Sequence, residues 1–215
     1  METKYNIVEL FTSIQGEGKM VGTKMFFIRL LGCNLSCSFC DEPKHKDNSL
    51  VASLSVDTIV NKAKKAKVEW VCITGGEPTL QNVNPLILAL KKIGLSVAVE
   101  SNGYKPTNIQ TADFLTLSPK RRKDVKLVDA SFDDKLKWDE VKVVVGRDAQ
   151  SFFTIRESDT DLVDLLFSVS DTVFVQPLNE SDTINRDNLN YAINLVDAHP
   201  RLRLSAQLHK MIGVE

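Results

Sequence analysis

The chain has 215 residues, 43% of them hydrophobic, with 27 Lys and Arg against 28 Asp and Glu and a net charge of -1. That is enough apolar material for one substantial core and favours a single domain over 1–215. The balanced charge gives no global field to draw a nucleic acid or a membrane surface, which leaves small molecules as the default ligand. No stretch approaches the ~18 consecutive apolar residues of a membrane span, and the first residues lack an apolar signal core, so a cytoplasmic protein is expected.

In chain order, an apolar run predicts a strand over 25–31 and helical spacing predicts a helix over 56–66, with Ser55 as its start. A strand over 70–74 follows, then a helix over 85–93 opened by Asn84-Pro85 and stopped at Gly94. Strands are predicted over 96–100, 114–118 and 141–145, a helix over 160–169, a strand over 172–176, a helix over 188–199 and a last strand over 203–206. Residues 121–170 read as generic scaffold, and the basic run KRRKDVK at 120–126 reads as a solvated loop in preference to an RNA contact. Strands alternating with helices predict a parallel sheet with crossover helices. The elements are too few for a full eightfold barrel, so the expected fold class is α/β, an incomplete (β/α) barrel.

The segment GCNLSCSFCD, at 32–41, places Cys33, Cys37 and Cys40 in one short loop after the first predicted strand. Reduced cytosolic thiols in a cluster bind metal or do redox chemistry more often than they form disulfides. Zinc would normally take a second cysteine or histidine pair. His45 is close in sequence but reads as a solvated loop residue, and Cys72, inside WVCIT, reads as a small buried hydrophobe. Three thiolates without a fourth suit a 4Fe-4S cluster with one iron left open.

Several strand ends are polar. WVCIT runs into GGEP (75–78), whose paired glycines either let the backbone approach a ligand or make an ordinary turn. Later strands run into ESNG (100–103), SPK (118–120) and QP (176–177). In parallel α/β folds the carboxyl ends of strands are where active sites assemble.

The three-cysteine spacing with an aromatic, Phe39, before its last cysteine, and a strand-terminal GGEP, resembles the radical S-adenosylmethionine (SAM) superfamily. Within it, SIQGEG (13–18), FIRLLGCNLSCSFCD (27–41), SPK and the closing QLHKMIGV (207–214) are similar to the 7-carboxy-7-deazaguanine synthase family. The similarity spans nearly the whole chain. It implies that Cys33, Cys37 and Cys40 ligate three irons while SAM occupies the fourth. It implies that Gly75, Gly76 and Glu77 receive the methionyl amino group and that Phe39 and the backbone to Asp41 border the adenine. Ser118, Pro119 and Lys120, with Glu100, Ser101 and Gln176, would hold the ribose and carboxylate. The pterin substrate, 6-carboxy-5,6,7,8-tetrahydropterin, would meet Ile14, Gln15, Gly16, Arg29 and Thr74. A guanidinium binds a carboxylate bidentately, which suits Arg29.

The reaction the resemblance implies is ring contraction of that pterin to 7-carboxy-7-deazaguanine with loss of ammonia. A 5′-deoxyadenosyl radical starts it by abstracting hydrogen from C6, and SAM is regenerated. An external one-electron reductant such as flavodoxin or ferredoxin is implied, as is a homodimer. The family usually has Thr or Ser two residues after the last cysteine to help bind Mg²⁺; here Glu42 stands there. A carboxylate could keep the ion, displace it or turn to solvent. Three other readings stay open: a glycyl-radical activating enzyme, a non-catalytic iron-sulfur module for binding or electron transfer, and a diverged homologue.

Overall fold

The computed structural model describes residues 3–47, 49, 52–130, 136–147, 155–179 and 183–214, with backbone alone for 44, 46 and 127–130. The chain forms two compact units that interleave in sequence. One comprises Met1–Ile14, Lys24–Ser36 and Glu42–Leu115; the other comprises Gln15–Thr23, Cys37–Asp41 and Thr116–Glu215.

The first unit holds β1 (Lys4–Ile14), β2 (Lys24–Leu30), β3 (Ala52–Ser55), α1 (Val56–Lys65), β4 (Trp70–Gly75), α2 (Asn84–Lys92) and β5 (Ser96–Ser101). Its strands lie in the order β3-β1-β2-β4-β5. The pairs β3/β1 and β1/β2 are antiparallel, whereas β2/β4 and β4/β5 are parallel. Parallel strands covered on both faces are apolar throughout, and Val71, Cys72 and Ile73 of β4 are all fully buried. Cys72 is therefore part of the core, as its apolar neighbours predict. α1 is capped by Ser55, whose side chain accepts from the Thr58 amide, and buries Ile59 and Ala63. α2 buries Leu86, Ile87 and Leu90, each contributing roughly 1.5–3 kcal/mol by its removal from water.

The strands β1 and β3 are absent from the sequence prediction. β1 is half exposed, with apolar and polar residues mixed along KYNIVELFTSI, and β3 is only four residues long. Neither offers the continuous apolar run that marks the parallel strands.

The second unit holds β6 (Phe114–Leu117), α3 (Arg122–Ala130), β7 (Glu140–Val145), α4 (Thr160–Val169), β8 (Val173–Pro177), α5 (Arg186–Ala198), β9 (Arg203–Leu204) and α6 (Leu208–Ile212). Its strands run parallel in the order β6-β7-β8-β9. The run at 120–126 is corrected: from Arg122 onward it is helix, packed against α4, with Asp124 and Val125 buried. Its density of charge hides a helical face that buries little apolar area. α5 begins two residues before the predicted start, capped by Asn185, whose side chain accepts from the Asn188 amide.

β7 carries two buried polar residues, Glu140 and Lys142, which point to one face because strand side chains alternate. They grip the loop 15–23. Glu140 accepts from the Lys19 amide at 2.7 Å and from Thr116 Oγ1 at 2.9 Å, and the Lys142 ammonium pairs with Glu17. The loop also closes on itself, with the Gln15 amide donating to Thr23 O and the Gly22 amide to Gln15 O, both at 2.8 Å. Burial alone would raise the Glu17 carboxyl, but the Lys142 charge and the hydrogen bonds of Lys142 and Gln207 hold it down to about 2, against an ordinary value of 4.5.

A carboxyl depressed by folding stabilises the native state fully above its unfolded pKa, and that stability is lost as pH falls toward the folded value. Between about pH 4.5 and about pH 2 the urea midpoint of the parent is therefore expected to fall more steeply than that of Glu17→Gln. Parallel midpoints through this window would show that the pair contributes nothing.

Candidate functional site

GGEP leaves β4 under a steric constraint. Gly75 has φ +138°, and a Cβ there would collide with the backbone of Leu30; on Gly76 it would collide with the Gly32 carbonyl and come within 2.7 Å of the His45 ring. The glycines thus let the end of β4 press against the backbone after β2, and backbone hydrogen bonds close the contact. Gly76 N donates to Leu30 O at 3.2 Å, Glu77 N to Gly32 O at 2.7 Å and Gly32 N to His45 O at 3.0 Å. What they admit closely is protein backbone. His45, expected in solvent, is 2% exposed inside a 3₁₀ turn, Pro43–Lys46, with Nδ1 against Glu42 O.

The Glu77 side chain is enclosed by donors. It is 1% exposed, and its carboxylate accepts from Thr79 N (3.0 Å), Thr79 Oγ1 (2.6 Å), Ser101 Oγ (2.7 Å) and Asn102 N (2.7 Å). Burial pushes this carboxyl up, and the donors from Thr79, Asn102 and Ser101 oppose the shift. The carboxylate fastens GGEP to the end of β5. Ser101 is committed in the same way, donating to Glu77 and accepting from Gly103 N at 3.0 Å. Glu100, beside it, is half buried. Asn102 Nδ2 reaches Asn34 Oδ1 at 2.9 Å, tying the residue after Cys33 to the same corner.

Arg29 of β2 is the register partner of Thr74 in β4, so both side chains leave the sheet on one face. On its other side a β-bulge between Ile7 and Glu9 resets β1 and sets Glu9 opposite Arg29. The two form an ion pair. The Arg29 guanidinium also lies over Phe11, 5.5 Å from the ring centroid, and Phe11 stacks on Phe27 at 5.0 Å. Glu42 Oε2 approaches Arg29 Nε to 3.5 Å. Arg29 thus holds two carboxylates of its own, both from residues to which sequence reasoning gave no such role. No local signal could locate Glu9, because its position depends on the bulge.

In the second unit Gln15 is buried, with its side-chain oxygen accepting from Glu17 N at 3.1 Å, and Gly16 O accepts from Leu208 N at 2.9 Å. His209 packs so closely on Gly16 that no side chain fits there. Burial pushes the His209 imidazole down. Gln176 and Gln207 both donate from Nε2 to Glu17 Oε1, at 3.0 and 2.9 Å, and Gln176 Oε1 accepts from Ser205 Oγ at 3.1 Å. Gln176 therefore helps to support Glu17. Lys142 and Gln207 were missed; a lysine inside EVKVVV was the one legible sign of a buried partner. Lys120 Nζ donates to Ser118 Oγ at 2.6 Å, across the buried Pro119. Ile14, at the end of β1, is half buried in the first unit.

Cys33, Cys37 and Cys40 are of intermediate exposure, with Phe39 equally half buried. Cys40 N donates to Cys37 O at 3.4 Å, and Cys33 Sγ accepts from Leu35 N at 3.4 Å. Among the described residues no group of three or more His, Cys, Asp or Glu side chains is drawn together as a metal site. The donor chemistry nonetheless fits an iron-sulfur cluster: three accessible soft ligands, one already receiving an N–H bond that favours its anion, and a fourth cysteine sealed in the core.

Residues 27–125 match the radical SAM superfamily. The chain is 36% identical to a 7-carboxy-7-deazaguanine synthase of Bacteroides thetaiotaomicron, over 97% of each protein. It is 33% identical to one of Synechocystis sp., over 100% of this chain and 95% of that protein. Among solved structures it is similar to QueE from Escherichia coli, with a TM-score of 0.71 and 25% identity over 96% of this chain and 95% of that one. The fold class is accordingly α/β, an incomplete (β/α) barrel with a largely parallel sheet. The chain belongs to the 7-carboxy-7-deazaguanine synthase family of the radical SAM superfamily.

Proposed function

We infer that the chain converts 6-carboxy-5,6,7,8-tetrahydropterin to 7-carboxy-7-deazaguanine with loss of ammonia, a carbon–nitrogen lyase of 7-deazapurine (queuosine) biosynthesis. Family membership names the reaction, and the observation that carries it to this chain's residues is Arg29. Its guanidinium is 17% exposed, shares a face with Thr74 and already binds two carboxylates. A guanidinium so disposed is suited to exchange one internal carboxylate for that of the substrate. The interleaving of the two units along the chain supports one functional domain over 1–215.

When bound, a 4Fe-4S cluster and SAM supply one-electron cleavage of the S–C5′ bond and the hydrogen abstraction that begins the rearrangement. Cys33, Cys37 and Cys40 would hold the cluster. The backbone of Gly75 and Gly76, the segment Phe39–Asp41 and the Ser118–Lys120 pair would hold SAM. Gln15, Gly16, Arg29 and Thr74 would orient the pterin, with Ile14 at the margin. Glu77, Ser101, Gln176 and Glu17 act one layer further out, fixing the backbone that does the binding. An external one-electron reductant such as flavodoxin or ferredoxin, and a homodimeric state, are carried over from the family resemblance. No described helix is long and apolar enough to cross a membrane.

Glu42 is the residue that would hold Mg²⁺. Its carboxylate lies at Arg29. Arrival of the substrate carboxylate at Arg29 would release Glu42 to serve as a hard oxygen ligand, as one or two carboxylates commonly do for this ion.

Anaerobic incubation with SAM, reductant and the carboxytetrahydropterin is expected to yield the deazapurine by mass. Ala at Cys33, Cys37 or Cys40 should remove both the iron and the product, while Cys72→Ala keeps the cluster. Product-free turnover of SAM alone would refute the substrate, and equal iron loss from Cys72→Ala would refute the ligand set.

Arg29→Ala is expected to weaken pterin binding by roughly 2–5 kcal/mol while leaving SAM affinity nearly intact. Loss of both affinities together would assign Arg29 to folding alone.

Rate titrated against Mg²⁺ separates the roles of Glu42. The parent should saturate at lower Mg²⁺ than Glu42→Thr, because a carboxylate adds charge to the ion's ligand shell. A flat parent curve, insensitive to chelator, would remove magnesium from the reading.

A further inference from the structure

The closing segment of the chain, QLHK, contributes two side chains to the loop that follows Cys40. Gln207 Nε2 donates to Asp41 Oδ2 at 3.2 Å and, with its other hydrogen, to Glu17 Oε1 at 2.9 Å. Its Oε1 accepts from Asn179 Nδ2 at 3.1 Å. Lys210 Nζ lies 3.3 Å from the same Asp41 oxygen. Gln207 is 5% exposed, so its amide is shielded from water, although the Asp41 carboxylate that it reaches is exposed.

The amide is matched to its surroundings in number and sign. A primary amide has two N–H donors and one carbonyl acceptor. Here the two donors meet two carboxylates and the acceptor meets a donor. Turning the amide over would aim its oxygen at Glu17 and Asp41 together, so the orientation is fixed by charge. The carboxylates it joins belong to different loops: Asp41 directly follows Cys40, and Glu17 directly follows Gln15 and Gly16.

We propose that Gln207 is a positioning residue that clamps the cofactor loop, at Asp41, to the substrate loop, at Glu17. The assignment of those loops to cofactor and substrate rests on the function proposed above; the clamp itself rests on the hydrogen bonds. The clamp sets the spacing between the two loops, and that spacing governs whether a reactive carbon generated on one side finds the substrate hydrogen on the other. Hydrogen abstraction is productive only from a near-attack geometry, and displacements of about 1 Å can cost roughly a hundredfold. A loosened clamp therefore leaves SAM cleavage intact and lowers its yield of product.

The test has two arms. In the first, amide hydrogen exchange over 15–23 and 37–41 is compared between the cluster-free parent and Gln207→Leu, which keeps the bulk and removes the bonds. Both loops are expected to exchange about tenfold faster in the variant; acceleration of one loop alone, or of neither, overturns the clamp. This arm is independent of the reaction. In the second, reconstituted enzyme is assayed for 5′-deoxyadenosine released per product. Gln207→Leu is expected to raise that ratio about tenfold with SAM affinity retained, and an unchanged ratio overturns the positioning role. Gln207→Glu, which sets a third carboxylate between Glu17 and Asp41, keeps the proposal testable should Gln207→Leu not fold. Its activity relative to the parent should climb as pH falls from about 8 to about 6, because only its protonated form can donate. A constant ratio across that range overturns the proposal. A parent that binds SAM but forms no deazapurine would refute the function while leaving the exchange result to decide the clamp.

Discussion

A carboxylate can be buried only if its oxygens are surrounded by donors or a counter-charge, since an unpaired one costs several kcal/mol. In each unit of this protein one such carboxylate, besides the buried Glu140 and Asp124 of the second, fixes a loop. In the first unit Glu77 gathers Thr79, Ser101 and Asn102, and so joins the turn after β4 to the end of β5. In the second, Glu17 gathers Lys142, Gln176 and Gln207, and so joins the loop 15–23 to β7, β8 and the closing segment. The backbone that would bind small molecules is tied down at these two acids because neither can be left without partners.

Arg29 meets a similar demand with the signs reversed. A cation on a strand needs anions, and β1 provides Glu9 by inserting a single residue into its ladder. The long antiparallel strand has a chemical as well as an architectural part: it covers the flank of β2 and supplies the guanidinium with a permanent neighbour. Glu42 is the second anion, and it comes from the segment immediately after the cysteine loop. The face that carries Arg29 and Thr74 and the stretch beyond the last cysteine are thereby in electrostatic contact within one unit.

What the sequence revealed follows from how local each signal is. The parallel strands were legible because burial on both faces leaves continuous apolar runs such as WVCIT, and α2 because Asn84-Pro85 and Gly94 bracket it. The cysteine spacing and GGEP were legible because each lies within a few residues. β1 was not, since a half-exposed strand with a bulge breaks its own alternation. α3 was masked by its lysines and arginines, and His45 by the charged residues around it, although its ring is enclosed. The partnerships of Glu17, Gln176 and Gln207 span more than a hundred residues of chain in two of three pairings, and nothing local announces them. The hydrogen bonds that Ser101 makes to Glu77, and that Gln176 makes to Glu17 and Ser205, likewise join residues far apart in sequence and leave no local mark.

The glycines of GGEP lead to a different conclusion about signatures. Their small size is required by the backbone of Leu30 and Gly32, whatever occupies the space beyond. A descendant of this protein that had abandoned radical chemistry would still be held to Gly75 and Gly76, because alanine there would prevent β4 from seating. The motif therefore survives as a mark of ancestry and architecture after activity is gone. Cys33, Cys37 and Cys40 are of intermediate exposure, unlike the buried Cys72, so their persistence in a chain is the better witness that the chemistry is still in use.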